Sequence, residues 1–482
     1  MENLKEKTAK GIAWGAVNNG TTQLLNLLFG IVLARLQSES DYGIVALLTI
    51  FTTLAGCVQA AGFSQALANL NPPTHRDYNA VFWFNILAGC FLYILLFLCA
   101  PLIADFFHLP ELTDVARVVF LSLPLSALGI VPNAKLWIEL RNKELAISSI
   151  CSLIASGGVG IWLALHGYGY WSLACQQLVF IGMNVVIKYW FTRWHPLLCL
   201  DFRPIRRMIG FSSKMLLTNM LTVISQNVQT FIFGKLLPIA TVGQFNQANK
   251  WNNMGHSFVS STMVQVAQPV LTKAGDGRER RERVFRKMLR FTAFVSFPLM
   301  LGLALVAHEF ITLTIGEKWQ PCVPLLQILC VSGAFMPLQV LFQNFIISNG
   351  RSDINLIVIT SQIILQTALT LALAPLGIKA MVTGFSALNL LFTFCWYFAL
   401  LRIHHLSFLS ILKDTVPFAA VATAVMAVTY FTTCRVETLW LLLILRVVVA
   451  TLLYLAVMKL LHAKTLEDII AFFFRRKSQS SQ

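Results

Sequence analysis

Along the chain, long apolar runs alternate with short polar and basic segments. A helix rising about 1.5 Å per residue needs about 20 apolar residues to cross a hydrocarbon core of about 30 Å. Runs of that length lie at 11–36, 42–68, 79–107, 115–134, 146–166 and 168–191. A second group lies at 208–236, 239–269, 289–314, 322–347, 354–374, 377–401, 415–433 and 438–461. The pattern predicts fourteen transmembrane helices.

The spans are unequally apolar. In the first, Asn19, Thr22 and Asn26 follow i, i+3, i+7 spacing and so share one helix face. Asn219, Thr222 and Gln226 repeat that arrangement in the seventh. The second span carries Thr49, Thr52, Thr53, Gln59 and Gln65. The eighth is the extreme, with Asn246, Asn249, Asn253, His256 and five further Asn and Gln, besides Lys250. An unsatisfied amide in hydrocarbon costs several kcal/mol, so these faces must meet other helices or water. Polar contact between packed helices accounts for an isolated Asn or Thr. The density in the eighth span favours a water-filled cavity lined by the first, second, seventh and eighth spans.

Lys250 lies within the eighth span, where a cation costs about 2.5–3.5 kcal/mol even on insertion scales. It predicts an anionic ligand, the alternative being a lysine solvated by neighbouring amides. Arg35 and Lys235 end the first and seventh spans at matching positions, either as interface anchors or as a ring of cations at an exit. Arg446, in the last span, fits lipid phosphate or packing against another helix. His256 is the one central group that titrates near neutrality. Asp and Glu are absent from span centres, only Glu139 and Glu309 coming close, which argues against carboxylate-based cation coupling.

Sliding the chain by 200 residues pairs Asn19 with Asn219, Thr22 with Thr222, Asn26 with Gln226, Arg35 with Lys235 and Gly43 with Gly243. Further on, at an offset near 207, Asn142 meets Asn349. Six spans is an even number, so the second copy enters from the same side as the first, a parallel repeat. The expected organisation is an N-lobe over 1–193, an interlobe linker over 194–204, a C-lobe over 205–402, two further helices over 403–463 and an amphipathic cytoplasmic tail over 464–482. The fold class is thus an all-α polytopic membrane protein, with about fourteen transmembrane helices in two parallel-repeat six-helix lobes plus two C-terminal helices. Substrate sites in such folds lie between lobes that rock, which makes transport the expected function.

Composition agrees: 57% of the 482 residues are hydrophobic and 12% charged, where a soluble globule carries about a quarter. The net charge of +16 invites a nucleic-acid partner until the 37 Lys and Arg are placed. Twenty-nine fall in or beside the termini and the even-numbered loops, six in the odd-numbered loops, and two, Lys250 and Arg446, within spans. By the positive-inside rule both termini are cytoplasmic, and the charge reflects topology. The basic start is followed by an apolar stretch too long and too polar for a signal peptide. Ten scattered cysteines show no metal or redox spacing. No Walker A, HExxH or GxSxG sequence appears, so neither an enzyme, a metal site nor a cofactor is expected.

Local text carries a resemblance. Leu33-Ala-Arg-Leu36 followed by Asp41-Tyr-Gly-Ile-Val-Ala-Leu47, the turn Gly167-Tyr-Gly-Tyr-Trp-Ser-Leu-Ala174, and Leu236-Leu-Pro238 through Val242-Gly-Gln-Phe-Asn-Gln-Ala248 resemble the polysaccharide transporter family. That family, which includes the O-antigen flippases, belongs to the multidrug/oligosaccharidyl-lipid/polysaccharide exporter superfamily. The resemblance implies a flippase of the bacterial inner membrane that moves undecaprenyl-diphosphate-linked oligosaccharide to the outer leaflet by alternating access. Implied partners are that lipid-linked substrate, membrane lipids and a glycan polymerase or assembly protein. Lys250 is the candidate counter-charge for the diphosphate by location alone. A cation-coupled multidrug or metabolite exporter and a lipid II flippase are the alternatives within the superfamily.

Overall fold

The computed structural model describes residues 2–70, 72–273, 278–349, 351–401, 407–461 and Leu466. The expected amphipathic tail lies, apart from Leu466, outside the described residues. The helices in order are α1 (Glu2–Leu36), α2 (Glu39–Ala60), α3 (Phe63–Asn69), α4 (His75–Phe107), α5 (Leu112–Val119), α6 (Ser122–Ile138), α7 (Asn142–Leu165), α8 (Tyr170–Thr192) and α9 (Arg203–Leu236). They continue as α10 (Ile239–Lys273), α11 (Arg278–Leu305), α12 (Ala307–Thr314), α13 (Cys322–Gly333), α14 (Met336–Ser348), α15 (Ser352–Ala372), α16 (Ile378–Leu401), α17 (Phe408–Thr433) and α18 (Leu439–Leu460). Eleven of these helices or helix pairs are, among the described residues, long and apolar enough to cross a membrane. The three others of comparable length, α1, α9 and α10, fall short on apolarity. They are the first, seventh and eighth spans, whose polar residues stand out in the sequence.

Several runs that read as single spans are broken helices. The second breaks at Ala61 and Gly62, both left-handed at φ 42° and 72°, a conformation Gly adopts at little steric cost. The fourth breaks at Phe120–Leu121 into α5 and α6, and the tenth breaks at Ala334–Phe335 into α13 and α14. The matching span is therefore broken in both copies of the repeat, about two turns later in the second. A carbonyl freed inside a membrane needs a donor, and Ser296 Oγ donates to Ala334 O at 2.7 Å.

The chain divides into two compact units, Met1–Gly243 and Gln244–Gln482. This boundary falls later than the 194–204 segment, because α9 packs within the first unit. Gly234 of α9 lets Leu47 and Phe107 sit where a Cβ would be. Phe51, Phe106, Phe107 and Phe231 join α2, α4 and α9 through ring contacts of 5.6–6.5 Å, edge-on or stacked.

Within the first unit, α7 packs most closely on α8. Ser148, Ser152, Ser156 and Gly160 recur every fourth residue, all buried, and form the small-residue seam that lets membrane helices approach. Gly157, next on the helix, is covered by the Phe29 ring of α1. At the start of α2, Ser38 and Asp41 form a capping box. Close by, the repeat-matched glycines make a reciprocal contact. A methyl on Gly43 would overlap the Ile239 carbonyl oxygen, and one on Gly243 would overlap that of Glu39. Residues 39 and 239 are themselves matched by the repeat, so the arrangement is self-complementary, like an isologous interface.

In the second unit, α17 and α18, which lie outside the repeat, are fastened by ion pairs to α11 and α12. Near the start of α11, Arg286 Nε lies 2.6 Å from Asp414 Oδ2, and Arg290 Nη1 lies 3.7 Å from Asp414 Oδ1. Beyond its end, Glu309 of α12 pairs with Arg446 of α18. Between α14, α15 and α16, the buried Asn389 gathers amides: Gln362 and Gln366 donate to its Oδ1 at 2.9 and 2.7 Å, and Gln339 donates to its backbone carbonyl at 2.8 Å.

Candidate functional site

Helix α10 has two distinct faces. Phe245, Gln247, Ala248, Trp251, Asn252 and Val259 are buried and hold the helix in the second unit. Trp251 meets Phe310 edge-on at 4.9 Å, and Gly333 and Gly255 admit Asn252 and Met300. Asn246, Asn249, Lys250, Asn253 and His256 follow i, i+3, i+4, i+7, i+10 spacing and occupy the opposite face. Asn253 is exposed and the other four are half-buried. The polarity that reads as running round the whole helix is thus resolved into a packed side and a free side.

Charge on the free side is uncompensated. Among the described residues Lys250 makes no hydrogen bond or ion pair; its Nζ lies 5.9 Å from the Trp251 ring centroid. His256 Nε2 lies 3.0 Å from Asn253 Oδ1, which fixes Nε2 as the donor and leaves Nδ1 as an acceptor. Among the described residues that Nδ1 is buried without a partner, as are both amide atoms of Gln247, Trp251 Nε1, Asn252 Oδ1 and Ser260 Oγ. Each such atom costs about 1–3 kcal/mol when nothing hydrates it. The stretch from Gln247 to Ser260 around Lys250, nearly four turns, therefore presents more donors and acceptors than its own packing uses.

Of the other sequence-derived candidates, Asn19 and Asn26 are exposed on α1, Gln226 is exposed on α9 and Asn219 is half-buried there. All four belong to the first unit, and the α10 residues belong to the second. Arg35 is exposed in the last turn of α1. Lys235 is engaged: Nζ donates to Phe106 O at 2.6 Å and lies 4.4 Å from the Phe106 ring centroid. It satisfies a carbonyl at the C-terminal end of α4, where a cation also complements the helix dipole.

Arg446 lines an apolar groove of about 440 Å³ with Phe294, Pro298, Gly302, Met426 and Tyr454. Its guanidinium is buried and taken up by Glu309 Oε1 at 2.7 Å, Thr433 Oγ1 at 3.2 Å and Leu305 O at 3.3 Å. It is a packing cation. Sequence reading missed its partner, and also the Asn389 amide cluster and the contact of Lys188 Nζ with Asn133 Oδ1 at 2.9 Å. The only sequence signal for these groups is a polar residue inside an apolar run, which says nothing of the neighbour.

Two of the motifs that carry the family resemblance meet in space. The Gln37 side-chain amide, oriented by its neighbours, donates to Asp41 Oδ2 and Gly169 O, each at 3.1 Å, and accepts from Ser172 Oγ at 2.7 Å. A Cβ on Gly169, at φ 49°, would stand 3.0 Å from Asp41 Oδ1. The turn between α1 and α2 is thereby locked onto the turn that opens α8.

Comparison with known proteins agrees with this architecture. The chain is 22% identical over 407 residues to the lipopolysaccharide biosynthesis protein WzxC of Escherichia coli (strain K12), covering 83% of this chain and 82% of that one. It is 23% identical over 359 residues to the teichuronic acid biosynthesis protein TuaB of Bacillus subtilis (strain 168), covering 73% and 74%. Among solved structures it resembles the lipid II flippase MurJ in its inward closed conformation, with a TM-score of 0.78 at 14% identity, covering 95% of this chain and all of that one. That likeness is one of fold. Residues 32–324 match the family described as polysaccharide biosynthesis protein. With more than half its length matched, and a multi-pass helical fold to go with it, the chain belongs to the polysaccharide biosynthesis protein family.

Proposed function

We propose that this protein moves a lipid-linked oligosaccharide with a polyprenyl-diphosphate anchor from the cytoplasmic to the outer leaflet of a bacterial inner membrane. Both termini lie on the cytoplasmic side in this reading, as the distribution of basic residues favours. The observation that carries it is the contrast between Lys250 and Arg446. Arg446 has a carboxylate 2.7 Å away, whereas Lys250 has no acid paired with it among the described residues and stands on a face of amides. A cation left uncompensated inside a membrane protein suits an anionic ligand. Lys250 would meet the diphosphate, and Asn246, Asn249, Asn253 and His256 the first sugar, whose hydroxyls can donate to the free His256 Nδ1. Within the first unit, Asn19, Asn26, Asn219 and Gln226, with Arg35 and Lys235, are further residues proposed for substrate. The prenyl tail would remain in lipid.

Outward movement of about two negative charges runs with an inside-negative potential, at about 2.3 kcal/mol per charge per 100 mV. A coupling ion is then not needed, in keeping with the absence of acids on the described α10 face.

The test is glycan export in cells that depend on Lys250→Ala or Lys250→Arg at normal membrane abundance. Losing a charge-assisted hydrogen bond of about 1.5–3 kcal/mol should reduce Ala export by about tenfold or more at limiting cargo, with lipid-linked glycan retained on the cytoplasmic leaflet. Arg should retain most of the activity. Unchanged export by the Ala variant would overturn the assignment of Lys250. Drug efflux without any effect on glycan would overturn the cargo.

A further inference from the structure

The segment between α8 and α9 is irregular, yet it is held firmly. Trp194 is buried among Phe63, Leu67, Phe82 and Ile205, and stacks on His75 with 5.7 Å between ring centroids. The Asn79 side chain serves the backbone at two points, accepting from Leu197 N at 2.9 Å and donating to Cys199 O at 2.7 Å. Trp83 Nε1 donates to Leu197 O at 2.8 Å, and Asp201 joins Arg76 to the Arg203 backbone N–H. What this clamp presents outward is apolar. Leu197, Leu198, Cys199 and Leu200 form a run of four exposed residues, with Leu198 93% exposed, and Phe202 follows.

A consecutive exposed apolar run on an ordered loop marks a contact surface. Its position says with what. The clamp residues belong to the first turns of α4, a candidate membrane span, and the preceding turn of α8 carries Trp190 at 72% exposure. Tryptophan gathers at the headgroup level of a bilayer. Exposed cations flank the run on both sides: Arg193 before it, and Arg203, Arg206 and Arg207 after it. Apolar residues between arginines are the pattern of a segment seated in an anionic leaflet. Irregular backbone at that depth needs internal partners, and Asn79 and Trp83 supply three of them.

We infer that residues 197–202 form an interfacial anchor that inserts its leucines into an anionic lipid leaflet, with Asn79 and Trp83 as positioning residues. The inference is independent of the cargo. The anchor would hold the joint between α8 and α9 at fixed depth while the helices on either side move.

The test uses Leu198→Cys in a chain whose ten native cysteines are replaced by serine, spin-labelled and reconstituted in phosphatidylethanolamine–phosphatidylglycerol vesicles. Oxygen collisions should exceed those with a water-soluble nickel chelate; the reverse order would overturn the inference, whether the loop meets water or awaits a protein. Neutral phosphatidylcholine vesicles should shift the label toward water, and an unchanged depth would remove the anionic preference. Asn79→Ala with Trp83→Phe should give the same shift, and no shift would remove their positioning role. Should the serine chain fail to fold, a photoreactive benzoyl-phenylalanine at position 198 of the native chain should cross-link to phospholipid. Absence of that adduct would overturn the anchor.

Discussion

Arg446 and Glu309, 137 residues apart in sequence, meet at 2.7 Å with both side chains almost wholly buried. A charge pair in so apolar a setting costs more in desolvation than an exposed one and is retained only if its remaining valences are met. Thr433 Oγ1 and Leu305 O meet two of those of Arg446, while Glu309 Oε2 has no hydrogen-bond partner among the described residues.

Glu309→Gln should therefore be severe, because it leaves a guanidinium buried without a counter-charge. A loss of about 3–5 kcal/mol is expected, visible as a large fall in the thermal midpoint of the purified protein in detergent. Glu309→Met with Arg446→Met should recover most of it, since an apolar pair of similar size carries no charge to desolvate.

Asp414→Asn frees Arg286 and Arg290 together, but these arginines are 36% exposed and can turn to solvent. Its cost should be smaller, about 1–3 kcal/mol, between the limits for exposed and buried pairs. The same melting experiment should rank it below Glu309→Gln. The reverse ranking would mean that the pair near the start of α11 is the stronger fastening.

Gly43→Ala and Gly243→Ala should each destabilise by about 1–3 kcal/mol or more, since the new methyl overlaps a backbone oxygen that cannot rotate away. Gly56→Ala, where a Cβ meets nothing within 4 Å, is the control and should be neutral or stabilising. Equal melting of all three variants would show that the close approach carries no energetic weight.

Acid should loosen the clamp between α4 and the α8–α9 segment. The Arg203 backbone N–H, and then the Arg76 guanidinium, hold the Asp201 carboxyl below its ordinary value. A depressed folded-state pKa contributes stability that is present above the unfolded value and is lost as pH falls through the folded one. Amide exchange across 197–203, corrected for its intrinsic rate, should stay slow at about pH 6 and speed up below about pH 4. Asp201→Asn should flatten that dependence.

The helical architecture was legible because long apolar stretches, eleven of which are candidate spans among the described residues, need nothing beyond their length to be recognised, and because the more polar helices differ visibly from the rest. That Asn246, Asn249, Lys250, Asn253 and His256 share a face follows from their spacing. Which face of α10 is packed does not, since Gln247 and Asn252 are as polar as Asn246 and are buried. Lys235 was ambiguous for a different reason: its acceptor is the carbonyl of Phe106, a group every residue carries. The Gly43–Gly243 match was visible as a repeat, but the reciprocal overlap it permits exists only in three dimensions. Breaks at Phe120 and Ala334 left no Gly or Pro at the break itself, so continuous hydropathy concealed them.

The lock formed by Gln37, Asp41, Gly169 and Ser172 bears on how such proteins diversify. Two of the three motifs that carry the resemblance describe a joint in the scaffold, whereas the free face of α10 shares only Asn246 with the third. Two chains with the same joint can accordingly differ on the face of α10 proposed to meet cargo, and exchanging those α10 residues between relatives would leave the joint untouched.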